Sequence, residues 1–592
     1  MDMAKDSSTT ASRAGAGTSR LRSGGELVTD ALKAAGVEVV FGLAGGHLEG
    51  LFKACADMDV RILDGRHEAA VVHAADAYAR TTGRLGVAIV TAGPGFTNAL
   101  TGVANAKLDR SPVLIICGAP PVRELETNEL QGGIDQIAAS QPLAKWALSI
   151  HSTERLRDMT AMAIRKAHAM PSGPVVLELP IDILHMSIAD DRAAPAAGAN
   201  VQTRPAASAA DIATLVQLLR AAQRPVLVAG HGAATAETAA ALRQLTGRIP
   251  LPVFSLTQAD GLLPPGHACD GGAPGILGAL PLLGIARPDL VILLGAEMGL
   301  LLGGRSGAVV PHEARLAQIH SDSAEPGRLR DVDLAITADT ALVVQALDEA
   351  LGTDVPDFSG WRDQVVPAQG MAAAAFADAP PESPGGIHPW HAARIIAEVA
   401  GTSACYALDG GEAASWAGDA IKVDAPGRKL GHGYLGALGI GPGFALGLQI
   451  AHPDRRVLLV TGDGGFGFHL QELDTMMRHN LPIVVVVLNN RVWGMSIHGQ
   501  QLMYGANFNL ITKLGETSYA NVASGFGCHG EQVTEIADLA PALRRALEAR
   551  RPALVEVMVD AETVHPVTVS MLGQVAEGSD EVMIPYYENL SG

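Results

Sequence analysis

The chain has 592 residues, with 62 acidic and 43 basic side chains and a formal net charge of −19. Hydrophobic residues make up 48% of the chain and charged residues 18%, a composition too apolar for a disordered protein. The acidic balance excludes a general nucleic-acid binder, which needs basic surface to neutralise phosphates. At roughly 150 residues per domain, the length predicts about three or four domains.

The first 23 residues are rich in Ser, Thr, Ala and Gly and contain no apolar core. They therefore do not form a secretory signal, and we expect a disordered tail. The cysteines are odd in number, lie far apart and include no CxxC pair: Cys55, Cys117, Cys269, Cys405 and Cys528. This pattern argues against a disulfide scaffold and is typical of a reducing compartment, so we expect a cytoplasmic protein.

Two Ala- and Pro-rich stretches, 188–208 and 353–386, have no hydrophobic period and are predicted linkers. They separate three blocks, with a carboxyl-terminal tail after the last: 24–187, 209–352, 387–565 and the tail 566–592. Short apolar runs in each block, such as 86–91 and 290–295, are typical of strands in a parallel sheet covered on both faces. We predict an α/β protein of three doubly wound parallel-sheet domains.

The outer blocks share a local sequence. Residues 87–96 read VAIVTAGPGF and residues 457–466 read VLLVTGDGGF, with identical residues at five of the ten positions. Each segment is a predicted strand leading into a predicted helix. The similarity indicates two related domains separated by a third.

The most apolar stretch, residues 434–451, reads YLGALGIGPGFALGLQIA. A membrane-spanning helix needs about 20 mainly apolar residues, and this stretch is shorter and interrupted by Pro442 and several glycines. We interpret it as a buried segment and expect no membrane span.

A glycine-rich turn, GDGGFG at 462–467, follows the predicted strand 457–461. Its spacing matches the dinucleotide pattern GxGxxG, but Asp463 places a negative charge where a pyrophosphate would approach. The acidic residue expected about 20 residues later is also missing, because the next strand ends in Asn489-Asn490. The dinucleotide interpretation is therefore disfavoured.

An acid beside a phosphate site is consistent with a bridging cation. Mg²⁺ takes six oxygen ligands and commonly links a carboxylate to phosphates. Asp463, the amide oxygen of Asn490 and the backbone carbonyl of Val492 are three candidate ligands at the carboxyl ends of strands, where open α/β sheets bind ligands. The alternative is a plain glycine turn capped by Asp463.

GDG followed by NN, with Asp463 and Asn490 27 residues apart, resembles the thiamine diphosphate motif. RHEAA at 66–70 resembles the glutamate element of the same family, which includes acetolactate synthases and pyruvate decarboxylases. The resemblance extends from about residue 24 to 565. The segments most similar to benzaldehyde lyases within the family are GLAGGH (42–47), RHEAAVVHAADAYAR (66–80), ETNELQGGIDQ (126–136), HGYLGALGIGPGFALG (432–447) and VTGDGGFGF (460–468).

The resemblance implies thiamine diphosphate and Mg²⁺ as cofactors and small carbonyl compounds as substrates. It also implies pyrimidine-binding, central and diphosphate-binding domains, in that order. Active sites would lie between subunits of a homodimer or homotetramer. The cofactor would be held by Glu68, Gly436, Leu438, Gly462, Asp463, Gly464, Gly465 and Asn490.

Glu68 is the main catalytic candidate. The family implies that it hydrogen-bonds N1′ of the cofactor's aminopyrimidine, which favours the imino tautomer and thus the C2 ylid. Zinc binding through HExxH fails on spacing, because His73 lies six residues after His67. The remaining alternative for Glu68 is a solvated helix charge.

The resemblance implies that Leu438 supports the cofactor in a bent shape, and Gly436 would allow close approach of the backbone. Its alternative is an ordinary core leucine. His47, Gln131 and His432 match positions that face the substrate, where a neutral histidine can relay protons and a glutamine can orient water. His498 lies near the predicted pocket without an assigned role.

The predicted substrate pocket departs from the benzaldehyde lyase pattern. It comprises Gly46, Ile181, Ala414, Met495 and Gly499. Ile181, Ala414 and Gly499 stand where rings would line the pocket, so the aromatic wall for a benzaldehyde unit is missing. We expect a longer, branched or bulkier substrate.

The resulting hypothesis is a lyase and carboligase that cleaves or forms 2-hydroxy ketones through an ylid and an enamine. Acetolactate synthase-type decarboxylation of 2-oxo acids and 2-hydroxyacyl-CoA cleavage are alternatives. The carboxyl-terminal tail has no basic cluster that could bind a nucleotide, which weakens the 2-hydroxyacyl-CoA alternative. The central block could accept FAD, as in acetolactate synthases, but no motif predicts it and we do not expect it. A non-catalytic regulatory protein would be expected to lose Glu68 or the metal ligands.

Overall fold

The computed structural model describes residues 20–127, 130–572, 574–575 and 582–583. It contains three six-stranded parallel sheets, one in each third of the chain. The predicted fold class of three doubly wound α/β domains is therefore confirmed. Within those residues, no helix has the length and apolar character needed to span a membrane.

The first domain is built on a sheet whose four inner strands are almost entirely buried, whereas its two edge strands are partly exposed. Its strands are β1 (Leu21–Ser23), β2 (Val39–Gly42), β3 (Arg61–Asp64), β4 (Gly86–Val90), β5 (Val113–Ala119), β6 (Trp146–Ser149), β7 (Val175–Pro180) and β8 (Ser187–Ala189). Its helices are α1 (Gly24–Ala34), α2 (Glu49–Asp57), α3 (Glu68–Thr82), α4 (Pro94–Leu108), α5 (Gln136–Ser140), α6 (Leu156–His168) and α7 (Ile181–His185). The sheet order is β3-β2-β4-β5-β7-β6.

The central domain has the simplest connectivity. Its helices and strands, with two helices that lead out of it, are α8 (Ala209–Ala221), β9 (Pro225–Ala229), α9 (Ala236–Arg248), β10 (Val253–Ser255), β11 (Asp270–Gly272), α10 (Ile276–Ala279), β12 (Leu290–Leu294), β13 (Arg315–His320), β14 (Leu334–Thr337), α11 (Thr340–Leu351), α12 (Ser359–Val365) and α13 (Gln369–Ala377). The sheet order is β11-β10-β9-β12-β13-β14.

The third domain holds the glycine-rich segments. Its strands are β15 (Glu382–Ser383), β16 (Gly386–Ile387), β17 (Cys405–Leu408), β18 (Lys429–Gly431), β19 (Val457–Gly462), β20 (Val484–Asn489), β21 (His529–Val533), β22 (Ala553–Met558), β23 (Gln574–Val575) and β24 (Val582–Met583). Its helices are α14 (Pro389–Ala400), α15 (Glu412–Ala420), α16 (Ile440–Ala451), α17 (Asp463–Phe466), α18 (Glu472–Arg478), α19 (Gly494–Tyr504), α20 (Tyr519–Gly525), α21 (Ile536–Glu548) and α22 (Pro566–Leu572). The main sheet has the order β18-β17-β19-β20-β22-β21.

The first and third sheets have the same topology. If the six sheet strands of each domain are numbered along the chain, both sheets read 2-1-3-4-6-5. The matching segments 87–96 and 457–466 occupy the third strand and the following helix in both. The local likeness seen in the sequence therefore corresponds to equivalent places in two similar domains.

The structure differs from the predicted tails and linkers at three places. Residues 21–23 were expected in the amino-terminal tail, but they pair with Ser187–Ala189. Ser23 then begins α1 through reciprocal hydrogen bonds with Glu26. The stretch 353–386 contains α12 and α13, and the tail after 565 begins with α22. Residues 1–19 and most of 573–592 lie outside the described residues.

The first and third domains share one apolar core. Helices α3 and α16 lie side by side, and the cluster between the two domains includes Phe96 with Phe444 and Phe466. A side chain on Gly443 would lie 2.6 Å from the carbonyl oxygen of Ala70, so a glycine is needed at this close approach. The predicted buried role of the segment 434–451 is confirmed over α16, where residues 440–449 are buried.

Candidate active site

Glu68 is the first residue of α3 and is buried, with 7% of its surface exposed. The side-chain amide of Asn98, in the first turns of α4, donates to Oε2 of Glu68 at 3.0 Å. The turn after β4 approaches the other oxygen, since a side chain on Gly95 would lie 3.4 Å from Oε1. The carboxylate is thus held in place, and it is not the solvated helix charge considered from the sequence.

His47 and Gln131 lie around the same turn after β4. Nδ1 of His47 is 3.3 Å from the hydroxyl of Thr91, and burial lowers the pKa of His47, which keeps the ring neutral near pH 7. Gln131 has a left-handed backbone (φ 61°) and sits against Gly93, whose added side chain would lie 3.1 Å from Cβ of Gln131. Gly46, beside His47, is exposed and has open space on its side-chain face. The structure therefore brings the three predicted first-domain groups together.

Asp463 follows β19 and begins α17, with 2% of its surface exposed. Burial raises its pKa to about 6, against the opposing effect of hydrogen bonds from the backbone N–H groups of Gly464 and Arg491. The Arg491 N–H donates to Oδ2 at 2.9 Å. A buried carboxylate satisfied by neutral donors suits a cation.

Asn490 and Val492 form a tight turn at the same sheet edge. The N–H of Val492 lies 3.2 Å from the amide oxygen of Asn490, and Arg491 between them has φ 61°. Since Arg491 also binds Asp463, the turn and the carboxylate are neighbours. The described part of the chain contains no cluster of three or more His, Cys, Asp or Glu side chains suited to a metal. Mg²⁺ here would need phosphate and water oxygens in addition.

The loop before α16 carries Gly436, Leu438 and His432. Gly436 (φ 65°) has no atom within 4 Å of its side-chain face, and Leu438 is half-buried. Nδ1 of His432 is buried without a hydrogen-bond partner among the described residues. Asp409 fixes the far end of the loop by accepting from the N–H groups of Gly439 and Gly441 at 3.1 and 3.0 Å. Open space beside a glycine and an unpartnered ring nitrogen fit a bound polar molecule.

Three of the predicted pocket residues lie close to that edge. Ala414 is on α15, Met495 and Gly499 are on α19, and a side chain on Gly411 would lie 3.2 Å from Cβ of Met495. Ile181 begins α7 in the first domain, at the end of β7. Ile181 therefore belongs to a different domain from the other three.

One buried pair was missed from the sequence. Nδ1 of His498 lies 2.8 Å from Oε2 of Glu412, and Nε2 lies 2.8 Å from the carbonyl oxygen of Ala561. Burial lowers the pKa of His498. The hydrogen bond with Glu412 and the negative charge of that residue outweigh the effect of burial, so the pKa of His498 is raised overall. Thr568 of α22 also donates to Glu412. This pair gives His498 a role in joining α15, α19 and the carboxyl-terminal segment.

Asn98 and Glu556 were also missed, because both act at long range. Asn98 lies 30 residues after Glu68 and has no motif around it. Glu556 is a fully buried acid in an apolar strand, LVEVM, whose carboxylate accepts from Asn489 at 2.7 Å. An acid at the centre of an otherwise apolar strand was the available signal for Glu556.

Comparison with known proteins accounts for all three domains. Family models described as thiamine pyrophosphate enzyme match in order: the N-terminal TPP binding domain over residues 22–139, the central domain over 212–347 and the C-terminal TPP binding domain over 409–557. The chain is 33% identical over 552 residues to the acetolactate synthase large subunit IlvG of Mycobacterium tuberculosis, covering 92% of this chain and 96% of the relative. This chain belongs to the thiamine pyrophosphate enzyme family.

Other relatives in the family carry two functional names. The bovine 2-hydroxyacyl-CoA lyase 2 is 31% identical over 551 residues, covering 87% of this chain and 85% of the relative. The acetolactate synthase large subunit of Parasynechococcus marenigrum is 30% identical over 550 residues, covering 91% of this chain and 87% of the relative. The predicted family and enzyme class are confirmed, whereas a closer relation to benzaldehyde lyases stays a prediction. The two models for cofactor-binding domains cover Glu68 and Asp463, the centres of the two residue groups described above.

Proposed function

We propose that this thiamine pyrophosphate enzyme is a Mg²⁺-dependent lyase and carboligase that cleaves or forms 2-hydroxy ketones from aldehydes or 2-oxo acids. The observation that carries the proposal is the buried Glu68 held by Asn98, in a chain that also gathers Asp463 and Asn490 at one sheet edge. Gly462, Gly464 and Gly465 would let the backbone approach the diphosphate. Asp463, Asn490 and the carbonyl of Val492 would hold Mg²⁺.

When bound, thiamine diphosphate supplies a nucleophilic carbon that adds to a carbonyl group. Glu68 would hold a proton at N1′ of the pyrimidine, and the bond from Asn98 fixes the orientation of the carboxyl group that would do so. Gly436 would let the backbone approach the ring, while Leu438 supports it. These residues orient the cofactor and move its proton.

His47, Gln131 and His432 would act on the substrate. His47 is neutral near pH 7, so it can accept a proton from a hydroxyl group and return it. The free Nδ1 of His432 provides a second proton site. Gln131 does not titrate, and it would hold water or the substrate oxygen by hydrogen bonds.

We also propose a homodimer or homotetramer with sites between subunits. Glu68 faces the first turn of α4, whereas the loop with His432 touches Asp109, directly after α4 ends. Asn98 and Asp109 are 11 residues apart along α4 and its end, which separates these points by about 16 Å. One chain's Glu68 would therefore serve the cofactor held by the third domain of another copy. We further propose domain boundaries at 24–187, 209–352 and 387–565. A cytoplasmic location is also proposed, and the five buried free thiols are consistent with it.

The substrate is proposed to be longer, branched or bulkier than a benzaldehyde unit, because Ile181, Ala414 and Gly499 stand where rings would line the pocket. Acetolactate synthase-type and 2-hydroxyacyl-CoA lyase activities are the alternatives, and each is the function named for a relative. FAD is not part of the proposal.

Product analysis with added cofactor and Mg²⁺ tests the proposal. Pyruvate, aromatic and aliphatic acyloins and a hydroxyacyl-CoA are compared under the same conditions. We expect cleavage of an aliphatic acyloin. Turnover of pyruvate alone to acetolactate would replace the lyase proposal with the acetolactate synthase alternative. Cleavage of the hydroxyacyl-CoA would replace it with the 2-hydroxyacyl-CoA lyase alternative.

A further inference from the structure

Glu556 is a fully buried carboxylate on the strand next to the β21 edge of the third-domain sheet. It lies on β22 between β20 and β21, opposite Val487 and Gln532. Oε1 accepts from the side-chain amide of Asn489 at 2.7 Å. Oε2 accepts from the backbone N–H of Ala520 at 3.2 Å and from Nε2 of Gln532 at 3.1 Å. Both oxygens therefore face hydrogen-bond donors.

The bond from Asn489 connects Glu556 to the tight turn of residues 490–492, which carries two of the proposed Mg²⁺ ligands. Because the NH₂ group of Asn489 is held by Glu556, its amide oxygen points the other way and accepts from the N–H of Arg491 at 3.1 Å. The same N–H donates to Oδ2 of Asp463 at 2.9 Å. Glu556 thus determines which end of the Asn489 amide meets the turn, and hence where the Arg491 N–H points.

A second route connects Glu556 to the backbone of Asp463. Glu556 holds the start of α20 through the N–H of Ala520 and, at 3.4 Å, the hydroxyl of Ser518. Tyr519, between these two residues, donates from its hydroxyl to the backbone oxygen of Asp463 at 3.0 Å. Two separate routes therefore connect Glu556 to Asp463, one through Asn489 and Arg491 and the other through the backbone of residues 518–520 and the Tyr519 hydroxyl.

We infer that Glu556 is a positioning residue for the Mg²⁺ and diphosphate site, acting through Asn489 and Tyr519. The inference rests on the proposed metal-binding role of Asp463 and Asn490. Glu556 touches neither ligand side chain, yet it sets the turn that carries them. Partners of this kind orient metal ligands, and their loss typically costs roughly 10–100-fold in metal affinity.

The test is Glu556→Gln, which keeps the shape of the side chain. With its oxygen kept toward Ala520, the new NH₂ group faces the NH₂ of Asn489, so the Asn489 amide must turn over and present a donor to the Arg491 N–H. Calorimetric titration of the full-length apoprotein with Mg²⁺ at saturating thiamine diphosphate should show a dissociation constant raised roughly 10–100-fold. Gln532→Met is the matched control, since it removes another bond to Glu556 without touching the route to the turn. It should leave Mg²⁺ affinity within about twofold of the wild type, a margin well inside the effect expected for E556Q.

A double variant tests the route itself. Asn489→Leu alone should weaken Mg²⁺ binding to a similar extent, and combining it with Glu556→Gln should add little, because both act on one chain of bonds. If Glu556→Gln does not fold, Tyr519→Phe breaks the second route while leaving Glu556 intact, and it should also raise the dissociation constant.

Equal effects of Glu556→Gln and Gln532→Met, or an unchanged Mg²⁺ affinity in the foldable variants, would overturn the inference alone. A wild-type protein that binds neither Mg²⁺ nor thiamine diphosphate would overturn the proposed function and this inference together. The two failures are therefore distinguishable in one titration series.

Discussion

The side-chain amide of Asn98 donates to Oε2 of Glu68 at 3.0 Å, across the contact between α3 and α4. A buried carboxylate with a fixed orientation is what proton transfer to a bound pyrimidine requires. Glu68→Gln should therefore lower kcat/KM by about 10²–10⁴-fold, because the amide cannot exchange a proton. The bond from Asn98 can still form, so the melting temperature should change little.

Steady-state kinetics with the substrate found by product analysis checks this prediction. Glu49→Gln, at an exposed position on α2, is the control and should retain full activity. Glu68→Gln with near wild-type activity would contradict the proposed mechanism.

Removing the charge at Asp463 should separate cofactor binding from stability. Asp463→Asn loses a proposed direct Mg²⁺ ligand, and we expect the affinity for Mg²⁺ with thiamine diphosphate to fall by more than the roughly 10–100-fold typical of indirect partners. The apoprotein should melt at a higher temperature near neutral pH, since a buried charge has been removed. Thermal melts with and without cofactor measure both effects. Asp454→Asn, in the exposed turn before β19, should alter neither.

The pair formed by Glu412 and His498 should make stability depend on pH. Both ring nitrogens of His498 face acceptors, so the protonated ring is stabilised and its pKa is raised in the folded protein. This contribution is fully present below the unfolded pKa of about 6.5 and is lost as the pH rises through the higher folded value. Melting temperatures of the wild type and His498→Gln should differ most near pH 6 and converge at alkaline pH. A constant difference across that range would contradict the prediction.

Gly433 should tolerate no side chain. A methyl group there would overlap the carboxylate of Asp109, which is itself bound by the buried Arg80. Gly433→Ala should cost about 1–3 kcal/mol of stability, the usual range for an overpacked buried site. Gly360→Ala is the control, because that helical glycine has open space around it and should gain up to about 1 kcal/mol. Denaturant melts compare the two.

Pocket width should control the choice of substrate. Ala414→Tyr places a ring on α15 at the pocket edge. We expect the ratio of kcat/KM for aromatic over aliphatic acyloins to rise by about 10–200-fold, the discrimination that a single methylene typically gives in an apolar pocket. Competition between the two substrates in one reaction gives the ratio directly. An unchanged ratio would mean that Ala414 does not contact the substrate.

The fold and the two centres of the site were predictable because their signals are local. Continuous apolar runs identified buried parallel strands, and the turns carrying Glu68 and Asp463 lie within a few residues of those strands. The similarity between residues 87–96 and 457–466 is also a local signal, and it corresponds to the strand order that the two sheets share. Short motifs at strand ends therefore predict where two groups of side chains gather.

The supporting residues were not predictable, because their partners are distant in the chain. Asn98, Glu412 and Glu556 each form a hydrogen bond with a residue 30 to 86 positions away in the chain. No hydrophobic period or turn pattern encodes such a pairing. The strand at 21–23 was missed for the same reason, since its partner lies at 187–189.

The shared core of α3 and α16 affects how the protein is made. The apolar face of α3 leaves the ribosome roughly 360 residues before its partner, and at about 5–20 residues per second that interval is on the order of half a minute. During this time the first domain presents an uncovered hydrophobic surface to other nascent chains and to chaperones. The yield of active enzyme in cells should therefore depend on translation speed through the central domain, although that domain contributes nothing to the α3–α16 contact.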